Sequence, residues 1–187
     1  MKNWLYYILG ILLFSVGAKC FIDSNLGTDP LDAMIIGIHQ HTHLLLGTIS
    51  LILSSIFLIT WSILNKKIPP LTCFITMGGV GYLIDLWNYL GKIPINSWVL
   101  LIGGLLMVSF SSALIIKSKL GIRIMDLLAL TFKQKWNWNF TLSKMIFESI
   151  FIIVAYILNG PIGIGTILFF ILVGTLIEPF MKLLKYK

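Results

Sequence analysis

The chain has 187 residues, of which 58% are hydrophobic and 11% charged, with a mean hydropathy of +0.96. Soluble domains carry about 25% charged residues, so the composition excludes a soluble globular domain and points to an integral membrane protein. The formal net charge of +7 is not a nucleic-acid signature here, because the lysines cluster between apolar runs, where they set topology.

Met1-Lys2-Asn3 followed by apolar Trp4 to Ala18 has the outline of a signal peptide. It lacks a small-x-small cleavage site, and Lys19 before Cys20 spoils a lipobox, so residues 4–22 read as the first spanning helix. A polar turn, Leu26-Gly27-Thr28-Asp29-Pro30-Leu31-Asp32, follows, and then an apolar run, 31–38, too short to cross. Asp29 suits an N-cap, Pro30 the first helical position, and Asp32 the third, facing the positive end of the helix. Further segments of spanning length are 46–64, 71–90, 97–116, 140–158 and 162–181. Asn65-Lys66-Lys67-Ile68-Pro69-Pro70 and Gly91-Lys92-Ile93-Pro94 punctuate them, and Trp4, Tyr6, Trp61, Trp87, Tyr89, Trp98, Trp136 and Trp138 mark their ends.

The polar turn is written twice. A shift of about 94 residues brings it onto Leu120-Gly121-Ile122-Arg123-Ile124-Met125-Asp126, again followed by a short apolar run, 125–132. The same shift pairs Trp4 with Trp98, Gly10 with Gly104, Ser15 with Ser109, Ser24 with Ser118 and Asn65 with Asn159. A shift shorter by one residue aligns Gly81 to Asp85 with Gly174 to Glu178. With the N-terminus in the cytoplasm, the inside receives most of the lysines and arginine, and the outside keeps only Lys19 and Lys92. Both termini are then cytoplasmic, and three spans per repeat make the halves inverted. The expected fold is an all-α polytopic membrane bundle in one domain, 1–187. Its six transmembrane helices form two inverted three-helix repeats (1–94 and 95–187), each with a short half-helix after its first span.

Gly27-Thr28-Asp29-Pro30-Leu31-Asp32, Gly47-Thr48 and Gly81 to Asp85 in the first half resemble the YczE/YitT-type bacterial membrane proteins. So do Gly121, Arg123, Asp126, Lys144 with Glu148, Asn159-Gly160-Pro161-Ile162-Gly163-Ile164-Gly165-Thr166 and Gly174 in the second. The chain departs from that pattern in three places: Ile124 and Met125 separate Arg123 from Asp126, a lysine stands at 144 in place of arginine, and Pro70-Leu71-Thr72 replaces a Gly-x-Gly-Thr. The resemblance implies a multipass protein of the bacterial plasma membrane and carries no established activity.

Asp32, Asp126, Arg123, Glu148 and Lys144 are the candidate substrate-binding residues. A carboxylate at membrane depth costs about 2.5–3.5 kcal/mol on insertion scales unless paired or hydrated. Helix capping by Asp32 and Asp126 is the plainer reading, since a cap is worth about 1 kcal/mol. Lys144 and Glu148, four residues apart, share a helix face and can form a structural salt bridge. As a deeply embedded acid, Glu148 equally suits proton coupling or cation binding. Asp85 and Glu178 fall at opposite interfaces, solvated or paired. His39, His41 and His43 would point one way on an extended strand and could bind a metal, whereas on a helix they spread around the axis. The glycines of 160–166 lack the Lys-Ser/Thr ending of a phosphate loop and suit close helix packing. Cys20 and Cys73 fall near opposite faces, too far apart for a disulfide.

No nucleophile, base and orienting group recur together, so the chain is not read as an enzyme, and no cofactor is implied. The expected partners are the lipid bilayer and a small-molecule or ion substrate, with no nucleic acid; the sequence leaves the substrate, the coupling ion and the oligomeric state open. The leading functional expectation is a small secondary transporter or permease with its site between two half-helices. A non-transporting accessory protein and a substrate-capturing subunit of an energy-coupling-factor transporter are the alternatives.

Overall fold

A computed structural model describes residues 2–68 and 72–185, and every regular element among them is an α-helix. In chain order these are α1 (Lys2–Ser24), α2 (Pro30–Thr42), α3 (Leu46–Asn65), α4 (Thr72–Leu90), α5 (Ser97–Ser118), α6 (Ile124–Trp136), α7 (Phe140–Ile157) and α8 (Ile164–Leu183). Each of the six long segments expected from apolar length holds a helix, the last beginning at Ile164 rather than at 162. The two short runs extend to 13-residue helices, α2 and α6. Pro69, Pro70 and Leu71, which carry the expected proline break and part of one departure from the family pattern, lie outside the described residues.

Five helices, α1, α3, α5, α7 and α8, are long and apolar enough to cross a membrane. The sixth expected span, α4, has 19 residues but is not among them, since Tyr82, Asp85, Trp87, Asn88 and Tyr89 lower its hydropathy. Its neighbour α1 satisfies several of its polar groups. The Tyr7 hydroxyl bonds the Thr72 carbonyl at 3.0 Å and the Thr76 hydroxyl at 2.9 Å. The Trp87 indole N–H donates to Ser15 Oγ at 3.0 Å, and Lys19 Nζ, paired with Asp23 at 2.8 Å, donates to Asn88 Oδ1 at 3.0 Å. Partner numbers rise together along both helices, so α1 and α4 run parallel.

The longest packing seam joins α1 to α5. A Cβ at Gly10 would stand 3.2 Å from the Ser111 carbonyl oxygen, and one at Gly17 would stand 3.2 Å from that of Gly104. Small residues let these backbones approach without side-chain spacers. As α1 is followed from Gly10 to Gly17, its α5 neighbour retreats from Ser111 to Gly104, so the two helices run antiparallel.

The turns after α1 and α5 are built alike. Ser24 Oγ donates to the Phe21 carbonyl and accepts from the Leu26 N–H; Ser118 Oγ does the same between Ile115 and Leu120. Asn25 and Lys119 follow in left-handed conformation, at φ 54° and 56°. Gly27, at φ +106°, needs glycine for its backbone alone. The Leu26 carbonyl accepts from the Gly165 N–H at 2.6 Å, and the Leu120 carbonyl accepts from the Thr72 hydroxyl.

The outer surface is apolar and patterned the same way in both halves. Ile52, Ile56, Ile59 and Ile63 form an exposed stripe along α3, and Ile146, Ile150, Ile153 and Ile157 form one along α7. Spacings of three and four residues keep each stripe on one helix face. Isoleucines exposed in this number suit a lipid-facing wall. Asp85 is half-buried and makes no ion pair among the described residues: its carboxylate accepts from the Leu46 N–H at 3.2 Å and the Gly47 N–H at 2.9 Å, capping α3 from the neighbouring helix. Cys20 and Cys73 are both free and buried.

Candidate functional site

Helices α2 and α6 begin inside the bundle. Asp29 caps α2: Oδ1 accepts from the Leu31 N–H at 2.8 Å and the Asp32 N–H at 3.4 Å, with Pro30 in the first turn as expected. Arg123 holds the corresponding N-cap position of α6, without a side-chain cap. Its guanidinium instead reaches across to Asp29, with Nη2 3.0 Å from Oδ2, and its Cζ lies 3.9 Å from the centre of the buried Phe14 ring. Asp29 therefore serves two helices at once, one oxygen capping α2 and the other pairing with the start of α6.

One turn into α6, Asp126 is fully buried and accepts from Lys144 Nζ at 3.1 Å. The same ammonium lies 3.1 Å from Glu148 Oε1 and 5.9 Å from the Phe169 ring. The pairing of Lys144 with Glu148 expected from their spacing is present, and Asp126 joins it. Asp32 sits beside Asp29 at the third helical position of α2. The capping role expected for Asp32 and Asp126 is a correction: the cap of α2 is Asp29, and both other aspartates stand three residues further along, where they meet the positive helix end without closing it.

All five candidate site residues are thus buried around the starts of α2 and α6, together with Asp29. The group holds four carboxylates and two cations. One oxygen each of Asp32, Asp126 and Glu148, together with Thr28 Oγ1 and Arg123 Nη1, is buried without a hydrogen-bond partner among the described residues. Buried polar atoms are ordinarily bonded, so this concentration of unused donors and acceptors is the chemical signature of the site. The first-half turn is held from the far side by the glycine segment before α8. The Thr28 N–H donates to the Pro161 carbonyl at 3.3 Å and to Thr166 Oγ1 at 3.1 Å, and a Cβ at Gly163 would collide with the Leu26 carbonyl. Close backbone packing, not phosphate binding, is what these glycines provide.

The histidines stand apart. His39 and His41 lie on the last turn of α2, where their Nδ1 atoms bond the carbonyls of Leu44 (2.6 Å) and Gly37 (2.9 Å), and His43 is the left-handed C-cap. The extended alignment that would have joined them is replaced by helix. Among the described residues no His, Cys, Asp and Glu set converges as a metal site. Glu178 lies beside Lys182 in a cleft near the C-terminal end of α8, away from the buried group.

An apolar groove of about 600 Å³ separates α3, α6 and α7, lined by Leu53, Phe57, Trp61, Leu128, Thr131 and Phe151 among others. The Trp61 indole N–H donates to Thr131 Oγ1 across it at 2.9 Å. Against α7, by contrast, α2 packs tightly: a Cβ at Gly37 would stand 2.9 Å from Leu158 Cβ, and Ala155 is fully buried.

The whole of this framework falls within a recognised family. Residues 1–182 match the model described as a family of unknown function, DUF6198. The chain belongs to the DUF6198 family. A similar protein is the uncharacterized protein YyaS of Bacillus subtilis (strain 168), 34% identical over 189 residues, covering 98% of this chain and 94% of that one. Another is the uncharacterized membrane protein YczE of the same organism, 26% identical over 185 residues, covering 94% and 84%. An uncharacterized protein of Haemophilus influenzae is 23% identical over 193 residues, covering 96% and 85%. No solved structure matches. For this DUF6198 chain the expected kinship with YczE-type membrane proteins holds over nearly its full length.

Asp29 is the member of the buried group that a reading of local motifs places only as a cap. The signal for its second role is in the repeat itself: at the shift of 94 that defines the two halves, Asp29 falls on Arg123, an acid on a base.

Proposed function

We propose that this protein is a small multipass transporter of the bacterial plasma membrane, built from two inverted repeats of three spans each, with its substrate site between the starts of α2 and α6. The observation that carries the reading is the buried group Asp29, Asp32, Arg123, Asp126, Lys144 and Glu148 at two facing half-helix starts. Backbone that is not helical at membrane depth is tolerated where it is packed in protein or lines a cavity, and paired broken helices at mid-membrane are a recurrent way to build a transport site. Ion pairs placed there for stability alone bring little, because desolvation offsets their attraction.

Internal correspondence supports the repeat. The serine turns after α1 and α5, the left-handed residues Asn25 and Lys119, and the isoleucine stripes on α3 and α7 recur at the same separation as Asp29 and Arg123. The antiparallel crossing of α1 and α5 suits an inverted arrangement. In it α4 is the sixth span, its polar residues covered by α1. The lysine distribution then puts both termini in the cytoplasm.

The correspondence fails where movement would be expected. Gly37 and Ala155 bring α2 onto α7, while Thr131 and Trp61 occupy the matching positions on α6 and α3 and face a groove of about 600 Å³. One side of the site is closed and the other loose. Rocking of one repeat against the other exchanges the two packings and so exchanges the side from which the polar group is reached.

The test is uptake into proteoliposomes, with and without a proton gradient, of compounds first selected by thermal shift on the purified protein, since specific binding stabilises by mass action. Uptake that Asp126→Asn and Arg123→Gln abolish supports the reading. Binding and uptake unchanged in both variants would place the site elsewhere.

A further inference from the structure

Lys144 stands on α7 where Ser50 stands on α3, and Glu148 where Ser54 stands, by the same separation that relates Arg123 to Asp29. In the second half the Lys144 ammonium meets Asp126, three positions into its short helix, at 3.1 Å. In the first half the matching acid, Asp32, meets no ammonium. Its Oδ2 is buried without a hydrogen-bond partner among the described residues, and it borders a void of about 10 Å³ shared with Ser50, Gly81 and Ile84. We infer that a small monovalent cation binds between Asp32 and Ser50, in the slot that the Lys144 ammonium fills in the other half.

Charge supports this. The buried group has two more carboxylates than cations. The starts of α2 and α6 each supply about half a positive charge, which leaves the group roughly one positive charge short. Asp29 is satisfied by Arg123 and two amide N–H groups, and Asp126 and Glu148 share Lys144. Asp32 has the helix start and the nearby Arg123 charge, but no ion-pair partner among the described residues.

Size restricts the ligand. A void of about 10 Å³ admits about one water-sized body, which excludes an organic amine larger than ammonium. Asp32 Oδ2 and the Ser50 hydroxyl are hard oxygen donors of the kind alkali cations take, while the Ser54 hydroxyl is already donated to the Ser50 carbonyl at 2.6 Å. Among the groups facing Asp32, α2 brings only Asp29, α6 only Arg123, and α3 has no titratable side chain. α4 carries Asp85, whose carboxylate is occupied by the amides of α3, and α1, which borders the void through Ile22, carries Lys19 and Asp23, paired with each other. The inferred site rests on the transporter reading for its use, as the coupling-ion position, but not for its existence.

The experiment is thermal unfolding of the purified full-length protein in sodium, potassium, ammonium or choline chloride at equal ionic strength and pH, with a pH series in each salt. A saturable rise in Tm over choline with one small cation names the ion; a rise with falling pH alone, the same in every salt, would mean that Asp32 takes up a proton and the slot holds no cation, and would overturn the site. The cation rise should vanish in Asp32→Asn and persist in Glu178→Gln. It should also vanish in Ser50→Lys/Ile35→Ala, which rebuilds the second half's lysine and its neighbour Ala129; if that variant fails to fold, Ser50→Ala should weaken the rise. Equal Tm in all four salts and at every pH, or a rise that survives Asp32→Asn, would overturn the site. Loss of uptake in vesicles with the cation effect intact would defeat only the transporter reading.

Discussion

Asp29 and Arg123 are 94 residues apart, hold the same N-cap position in two 13-residue helices, and meet at 3.0 Å. These are the two cap positions that the 94-residue correspondence in the sequence superposes, and they meet inside the bundle where α2 and α6 begin. An acid and a base there give the two halves opposite roles at one point.

Breaking that pair is expected to be costly because Arg123 would leave Asp29 and Asp32 buried without it. Arg123→Gln should lower stability by about 3–5 kcal/mol, and Asp29→Asn by a comparable amount, with loss of the α2 cap included. The double variant should recover part of the sum, a coupling of about 0.5–3 kcal/mol. Thermal or denaturant unfolding of the four proteins in one detergent measures it; additive losses would mean the two groups do not act as a pair.

Lys144 is shared by Asp126 and Glu148, both at 3.1 Å. Lys144→Met should therefore be more harmful than Glu148→Gln, since it isolates two carboxylates where the second change isolates none. Lys144→Arg, which keeps the positive charge between the two carboxylates, should retain most stability, and Lys144→Met/Glu148→Gln should be more stable than Lys144→Met alone. Folded yield and Tm rank the four.

Backbone contact rather than side-chain filling holds the turn before α2. Gly163→Ala drives a methyl group at the Leu26 carbonyl and the Gly27 N–H, neither of which can rotate away, and should cost about 1–3 kcal/mol as overpacking does. Gly103→Ala, on α5 with open space around it, should be neutral or gain about 0.5–1 kcal/mol from helix propensity. Unfolding of the two single variants against the parent separates these outcomes.

Much of this was legible in the sequence. Apolar length located each long helix, and the duplicated Leu-Gly…Asp string located both short ones, because such patterns report local burial and chain reversal. The contacts between halves were less legible. That Asp32 and Asp126 do not cap follows from Asp29 standing three residues earlier, and the local rules allow either choice. Asp85 reads as an interfacial charge because its partners, the free amides at the start of α3, leave no mark in composition. The contrast between tight α2 against α7 and loose α6 against α3 depends on pairs such as Gly37 with Leu158 and Thr131 with Trp61, which are far apart in sequence and meet only in the fold.

Topology offers a separate check. Tags on the two termini should both be reached from the cytoplasmic side only, whereas an external C-terminus would remove the six-span arrangement and with it the inverted halves.

The transport reading requires the two halves to exchange a closed packing for an open one across a shared site. Gln40 on α2 and Ile157 on α7 are exposed, as are their counterparts Gln134 on α6 and Ile63 on α3. Spin labels at each pair, in separate samples of protein in lipid nanodiscs with Cys20 and Cys73 replaced, report the two distances by pulsed electron resonance. Two populations are expected in each sample, with the 63–134 distance shortening as the 40–157 distance lengthens when ions or ligands are changed. A single fixed distance for both pairs under every condition would contradict the transport reading.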